Sequence, residues 1–502
     1  MNYAMMASLC LTILGIMALL MLPALGLSLF YGETGATMGL GITMALMLAL
    51  ALIRFFIKPK KRSLYGQDGF VLVALVWVLL SIVGALPYYI SGAIPNFLDC
   101  VFETVSGLTT TSASILSDIE AMPKSLLYWR SFTNWVGGMG VLVFILAVVP
   151  MGKSAGYSMS ILRAESPGPQ VNKLVPKMRT TALILYGIYV GMTALQFVLL
   201  LLDGMPALDA ITIAFSTAGT GGFGIKNASL IDYSLYTQSV VMVFMVLFGV
   251  NFNVYYLLLM KGFSRQVFNQ EIRVYIGILV LSSILIAVNV SALCQNAWEA
   301  LHKAAFQSVS LMTTTGFVTA NFDTWPQFSK SIMLMLMVVG ACAGSTSGGI
   351  KVSRLMIMLK HAKNTLMRFS RPNTVRNVHM GTVVIDNAVV QHTLVYFICY
   401  ALLGAGTMLL ISLDGLSMES SFSATIASLN NIGPGFGAVG PMLSYAHFSP
   451  LSKIILCIAM LFGRLEIFPM LLLFAPSTWG VKRLYIAIKH YFKRGGRQDG
   501  QE

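Results

Sequence analysis

Four short polar runs interrupt an otherwise apolar chain: "TTTS" at 109–112, "STAG" at 216–219, "TTTG" at 313–316 and "NNIG" at 430–433. Each follows an apolar residue (Leu108, Phe215, Met312 or Leu429) and opens with two Ser, Thr or Asn residues. Three end in glycine and the first ends in Ser112. Their last positions are 219−112 = 107, 316−219 = 97 and 433−316 = 117 residues apart, an internal repeat of about a hundred residues. Glycine permits backbone angles that aim a carbonyl where other residues cannot. A ring of such carbonyls replaces the hydration shell of a cation, and hydroxyl side chains support the loops that present it.

Two further stretches carry unusual chemistry. "GACAGSTSGGIKVSR" (Gly340–Arg354) places glycines and hydroxyl residues inside a run long enough to be a helix. Glycines break helices, and backbone freed at membrane depth must line a cavity or be enclosed by protein. The stretch lacks the spacing of a phosphate-binding loop and has no histidine placed to activate Ser345 or Ser347. A flexible loop across a conduction path is therefore expected, in preference to an intramembrane hydrolase. "FGRLEIFPM" (Phe462–Met470) sets Arg464 in mid-run, where a charge is costly unless it faces a cavity or a partner. Glu466, two positions on, sits nearly across a helix from it and is not its natural partner. Arg464 either faces a pore and repels a passing cation, or anchors the fold on carbonyls of another helix.

The elements that must hold these residues are written in the composition. Of 502 residues 56% are hydrophobic and 10% charged, with a mean hydropathy of +0.77, which excludes soluble classes and predicts a polytopic membrane protein. Apolar runs lie near 6–30, 38–57, 70–89, 128–149, 182–202, 236–260, 274–293, 331–359, 389–413 and 451–474. The first reads as a retained helix, not a removed signal peptide. After the first two, the runs pair, and each pair is joined through a stretch too short to span: 98–108, 206–215, 297–312 and 418–429. Asp99, Glu103, Asp209, Glu299 and Glu419 lie near the starts of these half-helices, where they either stabilise a helix N-terminus or attract cations. A half-helix ending in a polar loop points its negative dipole end at whatever the loop surrounds, and four such ends on one axis favour a cation.

The net charge of +14 is unevenly placed. Lys and Arg concentrate in every second connection, as at Lys58–Arg62, Lys153–Arg179, Lys261–Arg273, Lys360–Arg376 and Lys482–Arg497. This is the positive-inside pattern and predicts both termini in the cytoplasm, with basic loops near anionic lipid and no role in binding nucleic acid. The six cysteines are scattered and suggest neither disulfides nor a metal site.

With "NWVGGMG" (Asn134–Gly140), "CAGSTSGGIKVSR" and "GRLEIFP", the four runs resemble the TrkH family of the Trk/Ktr/HKT superfamily over essentially the whole chain. The resemblance implies an all-α membrane protein: four pseudo-repeats of helix, pore loop and helix around a central ion pore, plus two extra N-terminal transmembrane helices. The units would be 1–62 (two helices), 63–160, 161–270, 271–375 with a broken gating helix, 376–480, and a basic cytoplasmic tail at 481–502.

It implies potassium uptake across the bacterial inner membrane by a homodimer, with no enzymatic activity. K+ would bind a selectivity filter at Thr110, Thr111 and Ser112; Thr217, Ala218 and Gly219; Thr314, Thr315 and Gly316; and Asn431, Ile432 and Gly433. The gate would comprise Cys342, Ala343, Gly344, Ser345, Thr346, Ser347, Gly348, Gly349 and Arg464. A cytosolic ring of TrkA-like RCK subunits is implied as partner, carrying any ATP or NAD, since this chain itself binds no cofactor. One departure stands out: Ser112 replaces the family's usual glycine, and in related plant HKT transporters a serine there accompanies sodium transport. A sodium-permeant or weakly selective channel of the same fold is the alternative. A secondary transporter with inverted repeats fits less well, because each repeat begins and ends on the same side.

Overall fold

The computed structural model describes residues 2–57, 66–140, 178–262, 269–371, 376–381, 383–476 and 478–479. Among the described residues, the regular structure is helical except for a short hairpin of β1 (His379–Met380) and β2 (Val383–Val384). It opens with α1 (Tyr3–Leu20) and α2 (Leu22–Phe30), with Pro23 in the first turn of α2, where its missing N–H costs nothing. Helix α3 (Thr34–Ile53) returns beside α1. The two backbones close up at Gly15, where a Cβ would lie 2.9 Å from Ala51 Cβ.

Four helix–loop–helix units follow. The first contains α4 (Gly66–Val83), α5 (Leu86–Ile90), the half-helix α6 (Phe97–Leu108) and α7 (Lys124–Gly138). The second contains α8 (Met178–Leu202), the half-helix α9 (Ala207–Ala218), α10 (Leu235–Phe248) and α11 (Phe252–Lys261). In the third, α12 (Gln270–Val290) leads to the half-helix α13 (Ala297–Met312), α14 (Gln327–Val338) and α15 (Val352–Ser370). In the fourth, α16 (Asn387–Ile411) leads to the half-helix α17 (Met418–Leu429), α18 (Pro450–Arg464) and α19 (Phe468–Phe474). The half-helices have 12, 12, 16 and 12 residues. At 1.5 Å per residue they reach only about 18–24 Å, short of a ~30 Å hydrocarbon core.

Among the described residues, six helical stretches are long and apolar enough to cross a membrane: Tyr3–Phe30, Thr34–Phe56, Asp68–Ile90, Ala182–Leu202, Gln270–Leu293 and Asn387–Asp414. They match six of the ten expected spans. The expected span at 236–260 is instead two helices bent by 87°. The turn lies at Gly249–Asn251, and Asn251 caps α11 by accepting from Asn253 N–H. The runs at 331–359 and 451–474 are broken too, at 339–351 and 465–467. The run at 128–149 is helical to Gly138, and its remainder from 141 lies outside the described residues. So do Lys58–Arg62, Lys153–Lys177, Arg265 and the tail 481–502, which carry most of the charge asymmetry.

Candidate functional site

The four half-helices end in loops built alike. The residues capping them are Thr109, Gly219, Thr313 and Asn430. The next residue in each turns into the left-handed region: Thr110 at φ +56°, Thr220 at +52°, Thr314 at +56° and Asn431 at +57°. Two positions later a second positive φ occurs at Ser112 (+59°), Gly222 (+72°), Gly316 (+82°) and Gly433 (+93°). The residue between them donates its N–H back to the half-helix: Thr111 to Ser106 O, Gly221 to Ser216 O, Thr315 to Ser310 O and Ile432 to Ala427 O, at 2.8–2.9 Å. Hydroxyl pairs brace two of the loops, Thr109 Oγ1 to Thr111 Oγ1 and Thr313 Oγ1 to Thr315 Oγ1, both 2.8 Å.

This common backbone corrects the second expected segment. Thr217 and Ala218 are the last residues of α9, and Gly219 is its cap. The equivalent loop is Thr220, Gly221 and Gly222, three residues further on. Thr217 Oγ1 is spent on Ile213 O, as a helical threonine's usually is. Matching "STAG" to "TTTG" by its terminal glycine chose the wrong one of several glycines in "AGTGGFG". The Gly-Phe pair at 222–223, which mirrors Gly316-Phe317, is the signal that sets the register.

The loops close into a ring. A Cβ at Gly222 would lie 2.0 Å from Thr315 O, one at Gly316 2.1 Å from Ile432 O, and one at Gly433 2.4 Å from Thr111 O. Each glycine thus sits against the middle carbonyl of the next loop, second on third, third on fourth and fourth on first. Asn431 Nδ2 reinforces the last junction by donating to Thr111 Oγ1 at 3.0 Å. At the junction of the first two loops, Asn134 Nδ2 lies 3.4 Å from Ser112 Oγ and fills the space where a Cβ on Gly221 would be. Ser112 is thus met at this junction by the Asn134 side chain of α7.

Directly against this ring lies the 339–351 segment. Its neck is closed by Gly340 N–H to Ile350 O (2.8 Å) and Val352 N–H to Ala341 O (3.1 Å). The enclosed Cys342–Gly349 loop touches several repeats. Cys342 N–H donates to Gly249 O, and Gly344 O accepts from Phe252 N–H. Gly348 N–H donates to Thr314 Oγ1 at 2.7 Å, and a Cβ on Gly348 would meet Asn430 O. Its tip, Gly344 and Ser345, is partly exposed, while Thr346–Gly349 are buried. Lys351 Nζ folds back on Ser347 O and, at 3.3 Å, Gly348 O. Glu271 Oε1 clasps both sides of the neck, accepting from Ala343 N–H (2.7 Å) and Ser353 N–H (3.2 Å). Nothing in the local sequence pointed to Glu271 or the bend at Gly249, because each acts through a partner distant in the chain; the "NWVGGMG" motif marked the stretch that Asn134 opens but not its contact with Ser112.

Half-buried Arg464 joins loop and ring. It donates to Thr346 O (2.8 Å) and Thr110 Oγ1 (3.2 Å), and to the terminal carbonyls of α7 at Gly137 and Gly138, the latter at 2.7 Å. Of the two roles open from sequence, these bonds show the anchoring one, on carbonyls of another helix, with the side chain lying between the first polar loop and the broken helix. The helix stops immediately after it, since Glu466 and Ile467 take φ of +53° and +72°. A β-branched residue there is a genuine outlier. Glu466 pairs with Arg354 across to α15, not with Arg464.

Each half-helix carries a carboxylate in its first turn, and every one has a protein partner. Asp99 pairs with Lys453 (2.7 Å), Asp209 accepts from Tyr233 Oη, Glu299 pairs with Lys303, and Glu419 lies 3.8 Å from Lys330. Glu103 differs: it is buried mid-helix. At the rim, a hydrogen bond from Asn227 holds the Asp118 carboxyl below its ordinary value.

The chain matches the TrkH family, described as a cation transport protein, over residues 40–481. It belongs to the TrkH family. It is 36% identical over 453 residues to the Trk system potassium uptake protein TrkH of Salmonella typhimurium, covering 88% of this chain and 92% of that one. It is 34% identical over 469 residues to TrkH of Vibrio parahaemolyticus, covering 91% and 95%. The crystal structure of the potassium transporter TrkH from Vibrio parahaemolyticus superposes with a TM-score of 0.84 at 31% identity, covering 95% of this chain and all of that one. The fold is thus the all-α arrangement of four pseudo-repeats and two additional N-terminal helices, and the family is one of multi-pass transport proteins, not enzymes.

Proposed function

We propose that this chain is the membrane subunit of a Trk-type potassium uptake system in the bacterial inner membrane. The observation that carries it is the closed ring of four left-handed loops. K+ would shed water onto the carbonyls of Thr110, Thr111 and Ser112, of Thr220, Gly221 and Gly222, of Thr314, Thr315 and Gly316, and of Asn431, Ile432 and Gly433. Cys342–Gly349 and Arg464 form the barrier beneath. A barrier is physically required, because an inside-negative potential draws a monovalent cation inward by about 2.3 kcal/mol per 100 mV. The working unit is a homodimer with both termini in the cytoplasm. A cytosolic TrkA-like RCK ring supplies nucleotide control and draws the loop aside through α15. Labelled Rb+ uptake into proteoliposomes, with K+ and Na+ as competitors, tests the function.

Ser112 favours a second reading, a sodium-permeant or weakly selective channel. Its φ of +59° and its contact with Asn134 make the first loop differ from the other three. The same competition assay separates the two readings.

A further inference from the structure

We infer that the buried Glu103–Arg130 pair is a positioning element for ion selectivity, fixing the first two filter loops relative to each other. The proposal rests on the filter assignment above. Arg130 Nε donates to Glu103 Oε1 at 2.6 Å, with side-chain exposures of 2% and 0%. Neither residue touches the ring carbonyls; both grip the chain just beyond them. Glu103 accepts from Ser114 Oγ (3.0 Å) and Ile115 N–H (3.0 Å), immediately after Ser112. Arg130 donates to Gly224 O (3.0 Å), two residues after Gly222, and its guanidinium stacks 3.6 Å over the Phe223 ring. The hold extends to the fourth loop. Ser114 O accepts from Tyr445 N–H at 2.8 Å, and Tyr445 Oη donates to Gly433 O at 2.7 Å.

The repeats differ at this place. Counted from the capping residues, Glu103 lies six before Thr109, and Gln307 lies six before Thr313. Gln307 Nε2 likewise clasps its own loop, reaching Thr319 Oγ1 at 3.3 Å. In the fourth repeat, Ser423 Oγ and Ser420 Oγ accept from Phe436 and Ala438 N–H. The second half-helix has apolar Ile213 at the corresponding position, six before Gly219. Its loop is instead held by Arg130 from the first repeat, and Glu103 orients that arginine while clasping its own loop. One pair serves two loops, at the junction where Asn134 lies between Ser112 and Gly221. Further out, Asn227 ties the same loops by accepting from Ile119 N–H (2.7 Å) and donating to Asp118 (2.8 Å), so the outer rim holds without the pair.

The test uses the full-length chain in proteoliposomes, with labelled Rb+ influx competed by K+ or Na+. Glu103→Gln keeps the shape and an acceptor for Ser114 but leaves Arg130 without its countercharge. Arg130→Lys keeps charge but loses the planar fork that reaches Glu103 and Gly224 together. Both variants should retain Rb+ flux while their K+ over Na+ preference falls by about tenfold, since the first strips the countercharge from a buried pair and the second removes the fork that holds both loops. Gly316→Ser, within the ring itself, is the comparison. If Gly316→Ser loses discrimination and both pair variants keep the wild-type ratio, the pair is merely structural and the proposal is overturned. If none of the three shifts the ratio, the filter assignment fails, and this inference with it. If Glu103→Gln does not fold, Arg130→Lys decides alone by the same ratio.

Discussion

Replacing Gly316 by serine should weaken discrimination between K+ and Na+ without closing the pore. Gly316 has φ +82°, and a Cβ there would lie 2.1 Å from Ile432 O and 2.9 Å from Pro434 Cδ. A carbon–oxygen approach below about 3.3 Å is unusual, so the Ile432 carbonyl must retreat by roughly 1 Å. Left-handed backbone costs an L-residue roughly 1–2 kcal/mol, and overpacking adds ~1–3 kcal/mol. Ser112 shows that serine can occupy this place, but at φ +59° and with its hydroxyl beside Asn134 Nδ2. Gly316, at φ +82°, sits directly against the Ile432 carbonyl. Loss of ~1.4 kcal/mol of the preference is a tenfold change in the K+/Na+ ratio. Labelled Rb+ influx with each ion as competitor reads it, with a thermal melt confirming the fold. A folded variant with the wild-type ratio would refute the placement of this loop in the filter.

Other outcomes follow from the same geometry. Ser112→Gly should shift competition curves toward K+; curves that overlay the wild type would make the serine neutral. The register of the second loop is checked by a pair of variants. Gly222→Ala, whose Cβ would meet Thr315 O at 2.0 Å, should alter ion preference, whereas Ala218→Gly should cost only ~1 kcal/mol of helix stability and leave preference intact. Arg464→Ala should raise basal flux, and deleting 343–347 should raise it further; two folded, dimeric variants no leakier than wild type would move the gate elsewhere. Glu271→Gln weakens the clasp on Ala343 and Ser353 N–H and should also raise basal leak, with α15 still helical by circular dichroism.

Six of the ten spans, the recurrence of the polar runs and the positions of three of the four loops were legible because burial in lipid writes long apolar runs, and short interruptions among them carry meaning. The broken helix at 339–351 was legible for a related reason, since glycines contradict a plain span; the break at 465–467 was not, because the run reads as one helix through Arg464 and Glu466 and only the positive φ at Glu466 and Ile467 reveals the stop. The second loop was misplaced because "AGTGGFG" offers several glycines; the turn at Thr220 fixes the loop, in agreement with the Gly222-Phe223 pair that mirrors Gly316-Phe317. The bend at Gly249–Asn251 was missed because one glycine in an apolar run looks tolerable. It becomes a turn through bonds made to Cys342 and Gly344, some ninety residues later. Glu103 was grouped with the first-turn carboxylates, since sequence proximity could not show that its partner is Arg130.

The central claim is that four loops form one carbonyl ring selective for potassium. Its most direct test is labelled Rb+ uptake into proteoliposomes holding only this purified chain, with the competing ion varied. K+ should displace Rb+ at concentrations at least about tenfold below those needed for Na+, a preference of ~1.4 kcal/mol or more. Equal competition by the two ions would contradict it.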